Sequence, residues 1–132
     1  MITGATKGIG EATARLFAKE GSYVLICGRD SAAGEKIESD INREYQGKAK
    51  FFYLDVCDYI NWQEAINFAE KTFGKLNILI NNAGISYRET VEETTPDSWK
   101  KTLDTNQTGV FYGIKFAIES MKKIKEPCVL AL

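Results

Sequence analysis

Residues 3–10 read TGATKGIG, preceded only by Met1 and Ile2, and the fold follows from how this octet is read. Glycines at 4, 8 and 10 remove Cβ atoms where the backbone must turn sharply or let a ligand come close. A helical pattern follows at once, with apolar or small residues at Ile9, Ala12, Thr13, Leu16 and Phe17 and a stop at Gly21. A helix that opens from a glycine loop turns unpaired N–H groups and the positive end of its dipole toward an anion. The octet therefore reads as a diphosphate cradle; the competing reading is a glycine turn that only redirects the chain. Its spacing, Gly-x-x-x-Gly-x-Gly, differs from the common Gly-x-Gly-x-x-Gly fingerprint, so the segments beyond it decide.

Those segments alternate. Residues 23–27, YVLIC, form a nearly unbroken apolar run, which suits a parallel strand covered on both faces. Gly28, Arg29, Asp30 and Ser31 interrupt it, and Ala33, Ile37, Ile41 and Tyr45 then repeat at helical spacing up to Gly47. Residues 51–54 predict a strand stopped at Asp55. Trp62, Ala65, Ile66, Ala69 and Phe73 mark a third helix, with Gly74 at its C-cap position. Residues 77–80 predict the next strand, followed by NNAG at 81–84. Thr95-Pro96 is a strong helix start, and Trp99, Leu103, Val110, Ile114, Ala117 and Met121 carry a long helix over 96–123. Residues 128–132 predict a last strand. Strand and helix in turn, without repeats or linkers, specify an α/β doubly wound parallel sheet of Rossmann type in a single domain over 1–132. Right-handed crossovers would gather the loops at 4–10, 28–30, 55–56 and 82–84 along one edge.

Composition narrows the function. A net charge of −1 favours neither nucleic acid nor an anionic membrane as partner. No apolar run reaches the ~20 residues of a membrane span. The absence of histidine excludes a Ser-His-Asp triad and any His-based metal site. Cys27, Cys57 and Cys128 are unevenly spaced among apolar residues and read as reduced core thiols of a cytoplasmic protein. No metal site is expected.

With TGATKGIG at the first turn, Asp55-Val56 after the third strand, NNAG at 81–84 and Asn106 in the following helix, the chain resembles the short-chain dehydrogenase/reductase family. Residues 24–36, 69–74 and 91–113 look most like its NADP-dependent, R-specific secondary alcohol dehydrogenases and bacterial ketoreductases. The resemblance implies that Gly4, Thr6, Gly8, Ile9 and Gly10 hold the diphosphate, mainly through backbone N–H groups. It implies that Asp55 accepts from the adenine amino group, with the Val56 backbone beside the ring, and that Asn82, Ala83 and Gly84 line the nicotinamide ribose. Asn106 would match the asparagine that positions a water in a proton relay. It falls on the apolar side of its helix, where an amide needs a hydrogen-bonding partner. The bland readings are turn residues at Asp55, Asn81 and Asn82.

The second strand tip bears on cofactor choice. Asp30 lies where a carboxylate could bind the ribose hydroxyls of NAD. In family register, however, the NAD-selecting acid would stand at position 28, which is glycine here. Arg29 and Lys7 then suit the 2′-phosphate of NADP, and Asp30 is better explained as a helix N-cap. NADP is expected over NAD. The family's general acid/base is a tyrosine followed four residues later by lysine, with a serine upstream. No Tyr-x-x-x-Lys occurs here: Tyr112 is followed at the fourth position by Phe116, and Lys115 falls one residue short. The sequence thus reads as the cofactor half of such an enzyme, truncated at both ends, whether as a fragment, a prematurely stopped gene or a late start. With only Met1 and Ile2 ahead of it, the glycine loop is expected to lose support from the central strand. Three functions follow: part of an NADP-dependent oxidoreductase for a secondary alcohol or ketone, a non-catalytic dinucleotide-binding or subunit-pairing module acting through the helix at 96–123, or an inactive product. A homo-oligomer is implied for the full-length family.

Overall fold

Short-range signals place most of the elements. A computed structural model of the chain describes residues 1–131. In order these are α1 (Gly8–Lys19), β1 (Val24–Gly28), α2 (Ser31–Tyr45), β2 (Ala49–Tyr53), α3 (Tyr59–Phe73), β3 (Ile78–Asn81), α4 (Pro96–Leu103), a π-helical turn (Asp104–Thr108), α5 (Gly109–Met121) and β4 (Cys128–Ala131). Leu132, the end of the expected last strand, lies outside the described residues. Three helix starts are capped, at Asp30 and Thr95 as the sequence reading expects and at Asp58, which that reading did not single out. Asp30 accepts from the Ala33 N–H at 3.0 Å, and Asp58 accepts from the N–H groups of Ile60 and Asn61. Thr95 and Ser98 form a reciprocal capping box ahead of α4, with Pro96 at the first helical position. Gly74 ends α3 at φ 80°, a left-handed conformation that costs glycine little.

β1 pairs in parallel with β2, and β3 in parallel with β4. Ile2 joins the two halves through parallel bridges to Ile26 and Ile80, giving the order β2, β1, Ile2, β3, β4. The expected loss of support for the glycine loop is therefore corrected. The Ile2 N–H donates to Leu25 O and the Cys27 N–H to Ile2 O, each at 3.0 Å. On the other side the Thr3 N–H donates to Ile80 O at 3.0 Å and the Ile80 N–H to Met1 O at 2.9 Å. Two residues suffice because each peptide group reaches a strand already fixed by its own helices.

Side chains alternate across this sheet as strand geometry requires. Val24, Ile26 and Ile2 pack with Ala14, Ala18, Ile37 and Ile41 of α1 and α2. Leu25, Cys27 and Met1 pack on the other face with Trp62, Ala65 and Ala69 of α3 and Ala117 and Met121 of α5. The result is the doubly wound α/β sheet. Three expectations change. On α1 the buried line is Gly10, Ala14 and Ala18, while Ile9 and Leu16 are 72% and 55% exposed; small residues let the helix lie close to the sheet, so size was a poor guide to its inner face. Cys57 and Cys128 are exposed, leaving Cys27 as the one core thiol of the three. The 96–123 helix carries a π-helical turn, which adds a residue to one turn and resets the apolar stripe; Trp99 and Asn106 consequently face outward. No helix among the described residues is long and apolar enough to cross a membrane.

Candidate functional site

Parallel strands that all end at one edge bring their C-terminal loops together. Here they enclose a cleft of about 450 Å3. Gly4, Thr6, Lys7, Gly8, Ile9 and Gly10 form one wall. Arg29 and Asp30 follow β1, Asp55 and Val56 follow β2, and Asn82, Ala83 and Gly84 follow β3. Every residue to which the sequence reading gave a part in holding the cofactor lines this one cleft; Asn106 does not.

The glycine octet is fixed by close contact with the fourth loop. Gly4 has φ 61°, and a Cβ there would lie 2.8 Å from Ala83 Cα. A Cβ on Gly10 would lie 2.5 Å from both Gly4 O and Asn82 Nδ2. Thr3, to which the sequence reading gave no role, is the latch between the loops. Its buried hydroxyl accepts from the N–H groups of Asn82 at 3.0 Å and Ala83 at 2.9 Å. In return Asn82 Nδ2 donates to Thr3 O at 2.9 Å and to Gly4 O at 3.2 Å. Asn82 thus braces the cradle with its side-chain amide.

What this loop offers chemically comes from α1. Lys7 precedes that helix in an extended conformation and gives no side-chain cap, whereas α2, α3 and α4 are each capped. The N–H groups of its first turn are left for an external acceptor. A diphosphate fits: the cradle has room because Cβ atoms are missing, and it offers unpaired donors with no carboxylate at position 28. Gly28 also serves packing, since a Cβ there would come within 2.7 Å of Thr6 Cγ2.

Beside the tips of β1 and β2, Arg29 Nη1 lies 3.9 Å from Asp55 Oδ2, a long and largely solvent-facing pair that contributes little. Asp55 Oδ1 accepts from the Cys57 N–H at 3.0 Å, which holds the turn. The Trp62 indole donates to Val56 O at 3.0 Å; the Val56 N–H has no partner among the described residues. Partial burial first, with the Asp55 and Asp104 charges behind it, raises the Cys57 thiol pKa against a hydrogen bond shared with Thr105 that lowers it.

Asn106 stands outside the cleft wall, in an adjoining pocket with Ile85, Ser98 and Trp99. It is exposed, not set on the apolar stripe. Its Oδ1 accepts from the Ile85 N–H and its Nδ2 donates to Ile85 O, both at 2.8 Å. The π-helical turn aims this amide at the backbone just after NNAG, so its side chain acts as a positioning group for that loop. No cluster of three metal-ligating side chains exists among the described residues.

Comparison with known proteins gives a consistent picture. Residues 1–129 match the family described as short chain dehydrogenase. The chain is 37% identical over 127 residues to trans-4-hydroxycyclohexanecarboxylate dehydrogenase of Sinomonas cyclohexanicum, covering 92% of this chain and 49% of that protein. It is 38% identical over 122 residues to the NADP-dependent (R)-specific alcohol dehydrogenase of Lentilactobacillus kefiri, covering 92% and 48%. The structure of an alcohol dehydrogenase from the archaeon Thermococcus sibiricus, complexed with 5-hydroxy-NADP, superposes with a TM-score of 0.91 at 28% identity, over 97% of this chain and 55% of that one. The chain spans about half the length of the curated relatives it matches. From the loop convergence and these matches together, the chain belongs to the short chain dehydrogenase family.

Proposed function

We propose that this chain forms the dinucleotide-binding half of an NADP-dependent oxidoreductase acting on a secondary alcohol or ketone. The observation that carries the reading is the convergence of four strand-tip loops on one cleft beside an uncapped helix N-terminus. Gly4, Thr6, Gly8, Ile9 and Gly10 hold the diphosphate, Asp55 and Val56 the adenine, and Asn82, Ala83 and Gly84 the nicotinamide ribose. Lys7 and Arg29 receive the 2′-phosphate, with no acid at position 28 to repel it. Two similar proteins support the choice by their own ligands, one described as NADP-dependent and one complexed with 5-hydroxy-NADP. When bound, the nicotinamide supplies hydride exchange with a carbonyl carbon. Asn106 keeps the loop beneath it in place. Because these 132 residues contain no Tyr-x-x-x-Lys, they bind cofactor without turnover. Fluorescence titration of the purified chain with NADPH and NADH tests this: tighter NADPH binding and no reduction of a ketone such as acetophenone are expected. Equal affinities, or steady turnover, would overturn it.

A subunit-pairing role rests on a separate observation. Trp99 and Phe111 are 57% and 58% exposed on the outer side of α4 and α5, an apolar pair suited to the same surface of a second copy. A dimer in sedimentation that Trp99→Glu dissociates would support it. The setting proposed is cytoplasmic, in keeping with three unpaired cysteines.

A further inference from the structure

β2 stands outermost in the strand order and pairs only with β1 among the described residues. Residues 49–54 read AKFFYL, with consecutive aromatics at Phe51, Phe52 and Tyr53, one charge at Lys50, and no proline or glycine. A segment of that composition pairs readily with a like segment, and on an outer strand its unpaired backbone groups are a template for another chain.

The outward groups of β2 follow from parallel-ladder alternation. Lys48 O accepts from the Val24 N–H at 2.7 Å, and the Leu54 N–H donates to Gly28 O at 3.1 Å, so the even-numbered positions face β1. Ala49, Phe51 and Tyr53 therefore turn their backbone groups outward. Side chains of α2 meet the first two. Asn42 Oδ1 accepts from the Ala49 N–H at 2.8 Å, and Asn42 Nδ2 donates to Ala49 O at 3.0 Å. A carboxamide bound at both ends in this way takes the place of a peptide unit from a neighbouring strand. Glu38 Oε2 accepts from the Phe51 N–H at 2.6 Å, while its Oε1 pairs with Lys50 Nζ at 2.8 Å. Gly34 completes the line at i, i+4 and i+8 along one face of α2. Glycine inside a helix is costly, but here a Cβ would run into the Phe51 ring. Its absence lets α2 lie low enough for Glu38 and Asn42 to reach round the strand. Tyr53, the third outward position, is 50% exposed.

We infer that α2 is an edge guard: through Gly34, Glu38 and Asn42 it occupies the outward groups of β2 and keeps that edge from pairing with β2 of a second copy of this chain. Two copies related by a twofold axis present the same edge in opposite directions, so the pairing prevented is antiparallel.

The test removes the guard with Glu38→Ala and Asn42→Ala together, since alanine preserves the helix. The double variant is expected to melt roughly 5–10 °C below the wild type, from three lost hydrogen bonds. In sedimentation it should form species larger than the wild type that grow with concentration, and hydrogen exchange at residues 49–53 should slow as they form. Adding Tyr53→Pro takes away an outward N–H while sparing every bond to β1. This triple variant should return to wild-type size without recovering the lost melting temperature. A double variant that keeps wild-type size at all concentrations would overturn the inference, because Glu38 and Asn42 would then only stabilise the fold. Association that Tyr53→Pro leaves intact would overturn it too, since the copies would be joining elsewhere or after unfolding.

Discussion

Replacing Thr3 with valine tests how the cleft at the strand tips is assembled. The Thr3 side chain is 1% exposed, and its hydroxyl accepts from two backbone N–H groups, at 3.0 Å from Asn82 and 2.9 Å from Ala83. Valine has nearly the same shape and no acceptor, so Thr3→Val leaves both N–H groups without a partner. An orphaned donor costs about 1–3 kcal/mol. These two are partly buried, which places their sum at about 2–4 kcal/mol, a large share of the ~5–15 kcal/mol that holds a domain together. Thr3→Ser keeps the acceptor and loses one buried methyl, worth about 1 kcal/mol. Urea unfolding followed by tryptophan fluorescence should therefore move the midpoint down by roughly 1–2 M for valine and clearly less for serine. NADPH affinity should fall with valine and hold with serine, because the loop at 81–84 is anchored through this hydroxyl. If valine proves as mild as serine, Thr3 is not the latch and the two loops are held by packing alone.

Other outcomes follow from the same geometry. Gly28→Asp should lower NADPH affinity relative to NADH by at least about tenfold through like-charge repulsion. Gly28→Ala, which brings the same Cβ against Thr6, should weaken both cofactors alike; titration of both variants with both cofactors separates charge from crowding. Burial pushes the Met1 amino group down from 8.0 to about 6. The folded chain then binds fewer protons than the unfolded chain between those values, so its stability should fall by at most ~2.7 kcal/mol as pH drops from 8 to 6; denaturation curves at several pH values check this, and N-terminal acetylation should flatten the trend. Burial raises the Cys27 thiol to about 12, whereas Cys57 and Cys128 are exposed. A thiol reagent should label two cysteines in the native chain and the third only after denaturation, and equal labelling of all three would mean the sheet opens readily.

How much of this was readable beforehand depended on whether a signal was local. Caps at Asp30 and Thr95 and the stop at Gly74 depend on neighbours within a few residues, and the structure has them where the sequence puts them. The gathering of 4–10, 28–30, 55–56 and 82–84 followed from strand–helix order and handedness alone. Non-local features were hidden. The latch at Thr3 spans 79 residues to Asn82, and nothing beside Thr3 in the chain announces it. Asn106 lies on the apolar stripe of an ideal helix, but a π-helical turn displaces it, and its partner at Ile85 is 21 residues away. The inner face of α1 was misjudged because Gly10, Ala14 and Ala18 contribute little apolar area themselves; their value is the closeness they permit.

The most direct test of the central claim is backbone hydrogen exchange of the chain with and without saturating NADPH. Slower exchange confined to residues 4–10, 28–30, 55–56 and 82–85, strongest at the uncapped start of α1, is the predicted result. Protection spread elsewhere while those four loops stay unchanged would contradict it.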